Sequence, residues 1–176
     1  MGTNNNIKAP FDEHFRHYCE EMRQYDPDFC TDEEMENFKN TVKDMCVILP
    51  VKSGNKAVGF VAVSARDCHP KCDWYIHHAF VEKQYRHRQL MTHTIFTWLI
   101  NAPGIYGYDV IKDSPKSHAN IYAEGYWKHI FEDLVGKFKR VDRITLNPIR
   151  EPEAEAKLNI HAYRISQITS PQSFLF

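Results

Sequence analysis

The chain has 176 residues, 43% of them hydrophobic and 13% aromatic, which suits one folded domain with a substantial core and excludes a disordered chain. Its 22 basic and 23 acidic residues leave a formal net charge of -1, so the surface as a whole is not built for nucleic acid or anionic membrane, and any anion site has to be local. The opening "MGTNNNIKAP" lacks the apolar core of a signal peptide, no apolar run is long enough to span a bilayer, and Cys19, Cys30, Cys46, Cys68 and Cys72 are too irregular for a disulfide framework. Reduced thiols in a cytoplasmic protein are the expectation, with one domain over residues 1–176, a flexible N-terminus at 1–10 and a C-terminal tail at 168–176.

A first helix is predicted from about Phe11 to Tyr25, with Phe15, Tyr18, Cys19 and Met22 at helical spacing. "DPDFC" breaks it. A second helix starts at Thr31, where Thr31 and Glu34 form a capping box, and buries Met35, Phe38 and Val42. The β-branched runs "MCVILPV" and "AVGFVAV" follow, joined by a tight turn at Gly54 and Asn55. "DWYIHHAFV" is the third strand. A helix from about Arg88 to Asn101 places Leu90, Met91, Thr94, Ile95, Trp98 and Leu99 on one face. After "NAPG" come a strand, "IYGYDVI", and a helix opening at Ser114-Pro115 or Ser117 and running through Tyr126, Trp127, Ile130, Phe131, Leu134 and Val135. "RVDRITL" and "LNIHAYRIS" are the last strands, separated by an acidic loop. The order α-α-β-β-β-α-β-α-β-β describes an α/β fold, a mixed central sheet flanked by helices.

The densest charge is "FVEKQYRHRQLMTH", residues 80–93, where the third strand gives way to a helix. A helix start leaves backbone N–H groups without partners, and the macrodipole adds partial positive charge there. Arg86, Arg88 and a protonated His87 would reinforce such a corner for phosphate or pyrophosphate; the plainer alternative is two solvated arginines. "CHPKCDWYIHH" also gathers Cys68, His69, Cys72, His77 and His78. Its cysteines are four apart with no second pair following, so no metal is expected.

The element order together with the basic turn and "NIYAEGYW" resembles the GNAT superfamily of acetyl-CoA-dependent N-acyltransferases, over roughly Val47 to Ser166. In that family the turn reads Arg or Gln, two residues, Gly, one residue, then Gly or Ala. Arg86, Gln89 and Met91 fill those slots here, so both glycines are replaced. The second signature, an Asn, an Ala three residues on and an aromatic pair, is matched by Asn120, Ala123, Tyr126 and Trp127. The usual catalytic tyrosine slot holds Trp127, whose indole is no useful proton source. Tyr126 replaces it only if the helix is turned, since one residue rotates a side chain by about 100°.

The resemblance implies acetyl-CoA as co-substrate and a primary amine as acceptor. Pantetheine would lie between the splayed strands "YIHHAFV" and "IYGYDVI", bonded to the backbone of Ala79, Phe80 and Val81, with an N–H near Phe80 polarising the thioester carbonyl. Arg86, Arg88 and the amides of His87, Arg88, Gln89, Leu90, Met91 and Thr92 would hold the pyrophosphate, with Asn120 also at the coenzyme site. An amine with a pKa of about 10.4 needs a base. Strand alternation sets Asp73, Tyr75, His77, Ala79 and Val81 on one face and Trp74, Ile76, His78 and Phe80 on the other. His77, His78 and Asp73 are candidate bases, directly or through water; His78 is the one assigned, with Tyr126 as proton donor. No nucleic acid or membrane partner is expected, and a homodimer is compatible with the sequence. The acceptor stays open among a polyamine-like molecule, an aminoglycoside and a protein amine. The alternative to an enzyme is a catalytically silent binding protein of the same fold.

Overall fold

The computed structural model describes residues 5–24, 27–65, 72–111, 125–144 and 158–166. The first helix, α1, runs Asn5–Met22 and takes in Pro10, so residues 5–10, expected to precede it, are its opening turns. Phe11, Phe15 and Cys19, each four residues from the next, form its buried stripe. Helix α2 spans Asp32–Met45 and begins on the expected capping box, where the Glu34 carboxylate accepts the Thr31 backbone N–H at 2.9 Å. Strands β1, Val47–Ser53, and β2, Lys56–Ala65, form an antiparallel hairpin whose turn residue Gly54 has φ +59. That dihedral is open to glycine at no steric cost.

Strand β3 is Trp74–Val81, helix α3 Leu90–Asn101, β4 Gly104–Ile111, β5 Arg140–Ile144 and β6 Leu158–Ser166. The helix expected to end near Val135 is described from residue 125; it passes through a π-helical stretch, His129–Leu134, into a 3-10 turn, Val135–Lys137. Its expected start at Ser114-Pro115 or Ser117 lies outside the described residues, as do Cys68, His69, Asn120 and the tail 168–176.

The six strands form one sheet in the order β1-β2-β3-β4-β6-β5, antiparallel except for β3 against β4. β2 is buried from Val58 to Ser64 because helices cover both of its faces. Phe60 and Ala62 meet the α1 and α2 residues Phe11, Phe15 and Val42. Val58, Val61 and Val63 share the opposite core with Ile95 and Leu99 of α3 and with Trp127, Ile130, Phe131 and Val135. On the second face Phe131 stacks on Tyr163 of β6, centroids 4.5 Å apart and planes within 7°.

One irregularity matters for the site. β2 pairs Ala62 with His78 but Val63 with Ile76, which leaves His77 as an extra residue in β3. Such a bulge resets which way the following side chains point. The alternation expected along β3 therefore fails beyond it: Ala79 and Val81 join Trp74 and Ile76 on the α3 side, while Phe80 packs among the α1 and α2 residues.

Candidate functional site

β3 and β4 pair only at Trp74, Tyr75 and Ile76, opposite Tyr106, Gly107 and Tyr108. Asp73 locks the closed end: its N–H donates to Ile105 O and its carboxylate accepts the Ile105 N–H, both at 2.8 Å. Asp73 is thus a clamp between strands. Beyond Ile76 the strands part, and β4 continues in register with β6. The opposite edge of β3 shows which of its groups face the gap. Glu82 N–H donates to Val58 O, which makes 82/58 and every second pair behind it, including Phe80/Phe60, the bonded pairs of the antiparallel ladder. Phe80 therefore spends its backbone groups on β2. Ala79 and Val81 turn theirs into the gap, so the N–H expected from near Phe80 has to come from a neighbour.

The stretch of β3 beyond the paired residues lines a cleft of about 500 Å³. Ala79, Phe80, Val81, Arg86, His87, Gln89, Leu90, Met91, Thr92 and Tyr126 all line it, so most of the residues singled out from sequence meet in one place. Its floor is the start of α3. The residue before the helix, Gln89, has φ 58 and ψ 16 and does not cap the end with its side chain, and His87 has φ 62. The turn thus keeps left-handed dihedrals at two residues that are not glycine. Each such residue costs about 1–2 kcal/mol. The first amides of α3, at Leu90, Met91 and Thr92, have no acceptor within the helix, and the dipole makes this end positive.

The two arginines differ. Arg86 Nε donates to Val81 O at 2.8 Å, its Nη2 to Glu21 Oε2 at 2.5 Å, and its guanidinium lies 5.6 Å from the Phe80 ring centre. Arg88 is exposed and lies over the Tyr85 ring, 5.4 Å from its centre. Glu82 Oε1 accepts from His14 Nδ1 at 3.0 Å and His17 Nδ1 at 2.6 Å, which tethers α1 to the exit of β3.

The two neighbouring aromatics of the helix described from residue 125 point different ways. Trp127 is buried against Tyr108, 5.3 Å between centroids, and Tyr126 faces the cleft, where the Thr92 hydroxyl donates to its oxygen at 3.3 Å. Burial pushes the Tyr126 phenol above its ordinary value, with the Thr92 bond opposing. It stays protonated at neutral pH. His78 is placed differently from its expected role as base. It sits with Tyr18 and Phe38 on the α1 and α2 side, sharing a hydrogen bond of 3.0 Å between Nδ1 and the Tyr18 hydroxyl. Burial, reinforced by His77, pushes its pKa down to about 4. An imidazole that weakly basic is a poor acceptor for an ammonium proton. His77 bonds Ser64 Oγ through Nε2 at 2.7 Å.

Sequence reasoning missed the wall that α1 supplies. Tyr18, Glu21 and Met22 line the cleft. The signal was a hydroxyl, Tyr18, in an otherwise apolar stripe, but nothing local pairs it with a strand far along the chain. Asn120 falls outside the described residues. Among those described, no cluster of three or more His, Cys, Asp or Glu could hold a metal ion, and no helix is long and apolar enough to cross a membrane.

The fold and cleft together define a mixed α/β protein whose sheet parts between two parallel strands near the start of a helix. No family model matches the sequence, and no curated protein matches it. Among solved structures, an acetyltransferase from Thermus thermophilus is similar with a TM-score of 0.57 and 12% identity, over 91% of this chain and 92% of that chain. A protein from Desulfovibrio desulfuricans assigned to the GNAT family of acetyltransferases gives a TM-score of 0.46 at 8% identity, over 78% and 83%. The chain has a GNAT-like fold.

Proposed function

We propose that the protein transfers an acyl group from acetyl-CoA to a primary amine. One observation carries this reading: β3 leaves β4 after three paired residues, so the backbone groups of Ala79 and Val81 face a cleft that ends on the free amides of α3. The described residues suit such a ligand, since a pantetheine arm has amides for a free strand edge and a pyrophosphate has charge for a helix start. The similar Thermus protein is an acetyltransferase, which agrees with the reading.

In this reading Ala79 and Val81 bind the arm, the amides of Leu90, Met91 and Thr92 bind the phosphates, and Arg86 and Arg88 add charge-assisted bonds. Acetyl-CoA, when bound, supplies the acyl group as a thioester. Tyr126 holds a proton at its phenol oxygen for the departing sulfur, and the proton that the amine gives up returns to that oxygen through solvent. Thr92 fixes the phenol. Trp127 serves the core, and His78 orients Tyr18 rather than acting as base.

The experiment is thiol release from acetyl-CoA in the presence of a polyamine, an aminoglycoside or a lysine peptide. Turnover with any of them supports the proposal, and Arg86→Ala should then raise the KM for acetyl-CoA. Binding of coenzyme A with no turnover on any amine leaves a silent binding protein. Absence of both overturns the reading.

A further inference from the structure

Arg86 sits where a phosphate needs charge, yet it is already engaged. Of its five N–H donors, one is spent on Val81 O and another on Glu21. The Glu21 pair is half-sheltered, with side chains 20% and 32% exposed, and it joins the last turn of α1 to the turn below β3. Val81 O is also one of the few backbone groups that β3 turns into the gap. The one side chain thus covers part of the strand edge while its charge is held by a carboxylate.

Resting on the coenzyme reading above, we propose that Glu21 sets the affinity of the cleft for phosphate-bearing ligands by competing with them for Arg86. With the cleft empty, Glu21 neutralises the guanidinium and keeps its Nε on the Val81 carbonyl. A phosphate at the start of α3 draws Arg86 from Glu21, and the same movement frees Val81 for an amide of the arm. Glu21, once released, faces a like charge, so it opposes the ligand twice. Arg88 is placed differently: it is exposed and its guanidinium lies over the Tyr85 ring, whereas Arg86 makes the bonds to Glu21 and Val81. The binding energy that the ion pair withholds is reciprocal: whatever Glu21 gains from Arg86, the coenzyme loses.

The test is calorimetric titration of the full chain with coenzyme A and, separately, with pantetheine, which has no phosphate. Glu21→Gln should bind coenzyme A about five- to tenfold more tightly, a coupling of ordinary size, and gain clearly less for pantetheine. In an Arg86→Ala background the gain from Glu21→Gln should shrink to about twofold or less, the mark of a pairwise effect. Glu21→Ala serves as a second variant, and a cooperative thermal transition confirms that each is folded. If the wild type binds coenzyme A and neither Glu21 variant binds it more tightly, the competition is overturned and the coenzyme reading stands. Equal gains for both ligands also overturn it, since they would report steric opening by α1. If neither wild type nor variants bind coenzyme A, the coenzyme reading itself fails.

Discussion

Replacing Gln89 with glycine should make the protein more stable, although it deletes a side chain and loosens the unfolded chain. Gln89 holds φ 58 and ψ 16 at the start of α3 and is exposed, so little packing is lost with its side chain. Left-handed backbone costs an L-residue about 1–2 kcal/mol, and glycine removes that penalty. Against it stands the extra freedom of glycine in the unfolded state, about 0.5–1 kcal/mol. The net gain is about 0–1.5 kcal/mol, or a rise in Tm of up to about 6 °C for a chain of this length. Urea and thermal unfolding of the wild type, Gln89→Gly and Gln89→Val read it directly. Valine, β-branched and forced to positive φ, should destabilise by more than glycine stabilises. Should glycine destabilise and valine be tolerated, the turn is not left-handed at Gln89, and the account of how it presents the α3 amides without glycine is wrong.

His78 should make the fold acid-sensitive. Its pKa is about 4 when folded against 6.5 for the free side chain, so between those values the unfolded chain binds the extra proton and stability falls as pH falls. At about 1.36 kcal/mol per pKa unit, the wild type should lose roughly 2–3 kcal/mol more than His78→Phe between pH 7.5 and 4.5, read by urea unfolding; parallel profiles would refute the burial argument. Tyr126→Phe should lower kcat by about 10²-fold with little change in the KM for acetyl-CoA, as loss of a general acid does, and Trp127→Phe should affect stability and leave kcat nearly alone. Equal loss of kcat in both variants would remove Tyr126 from the chemistry. Asp73→Ala should weaken the closed end of the gap, destabilising the fold by about 1–3 kcal/mol by leaving the Ile105 N–H without its acceptor.

The fold was legible where burial and turn chemistry leave few choices. The apolar run of β2, the Gly54-Asn55 turn and the Thr31 capping box follow from elementary preferences, and together they fix the element order. The cleft was legible in part, because a strand exit and a helix start can be recognised in one stretch. The bulge was not. Alternation assigns faces only while the ladder is regular, and no feature of "YIHHAF" marks His77 as the extra residue. The dihedrals of His87 and Gln89 were equally hidden, since neighbouring elements can force any residue into a shape that glycine adopts freely. The remaining gaps are tertiary. Glu21 and Tyr18 reach the cleft only because α1 crosses β3, and Arg86 is paired by a carboxylate that is distant in sequence.

The most direct test is an amide-resolved NMR titration of the isotopically labelled protein with coenzyme A. Saturable shifts confined to Ala79, Val81, Leu90, Met91 and Thr92, with Phe80 N–H little moved because β2 already holds it, are what the parted strands predict. A titration that leaves those amides unmoved, or moves only surface arginines, would contradict a coenzyme cleft between β3 and β4.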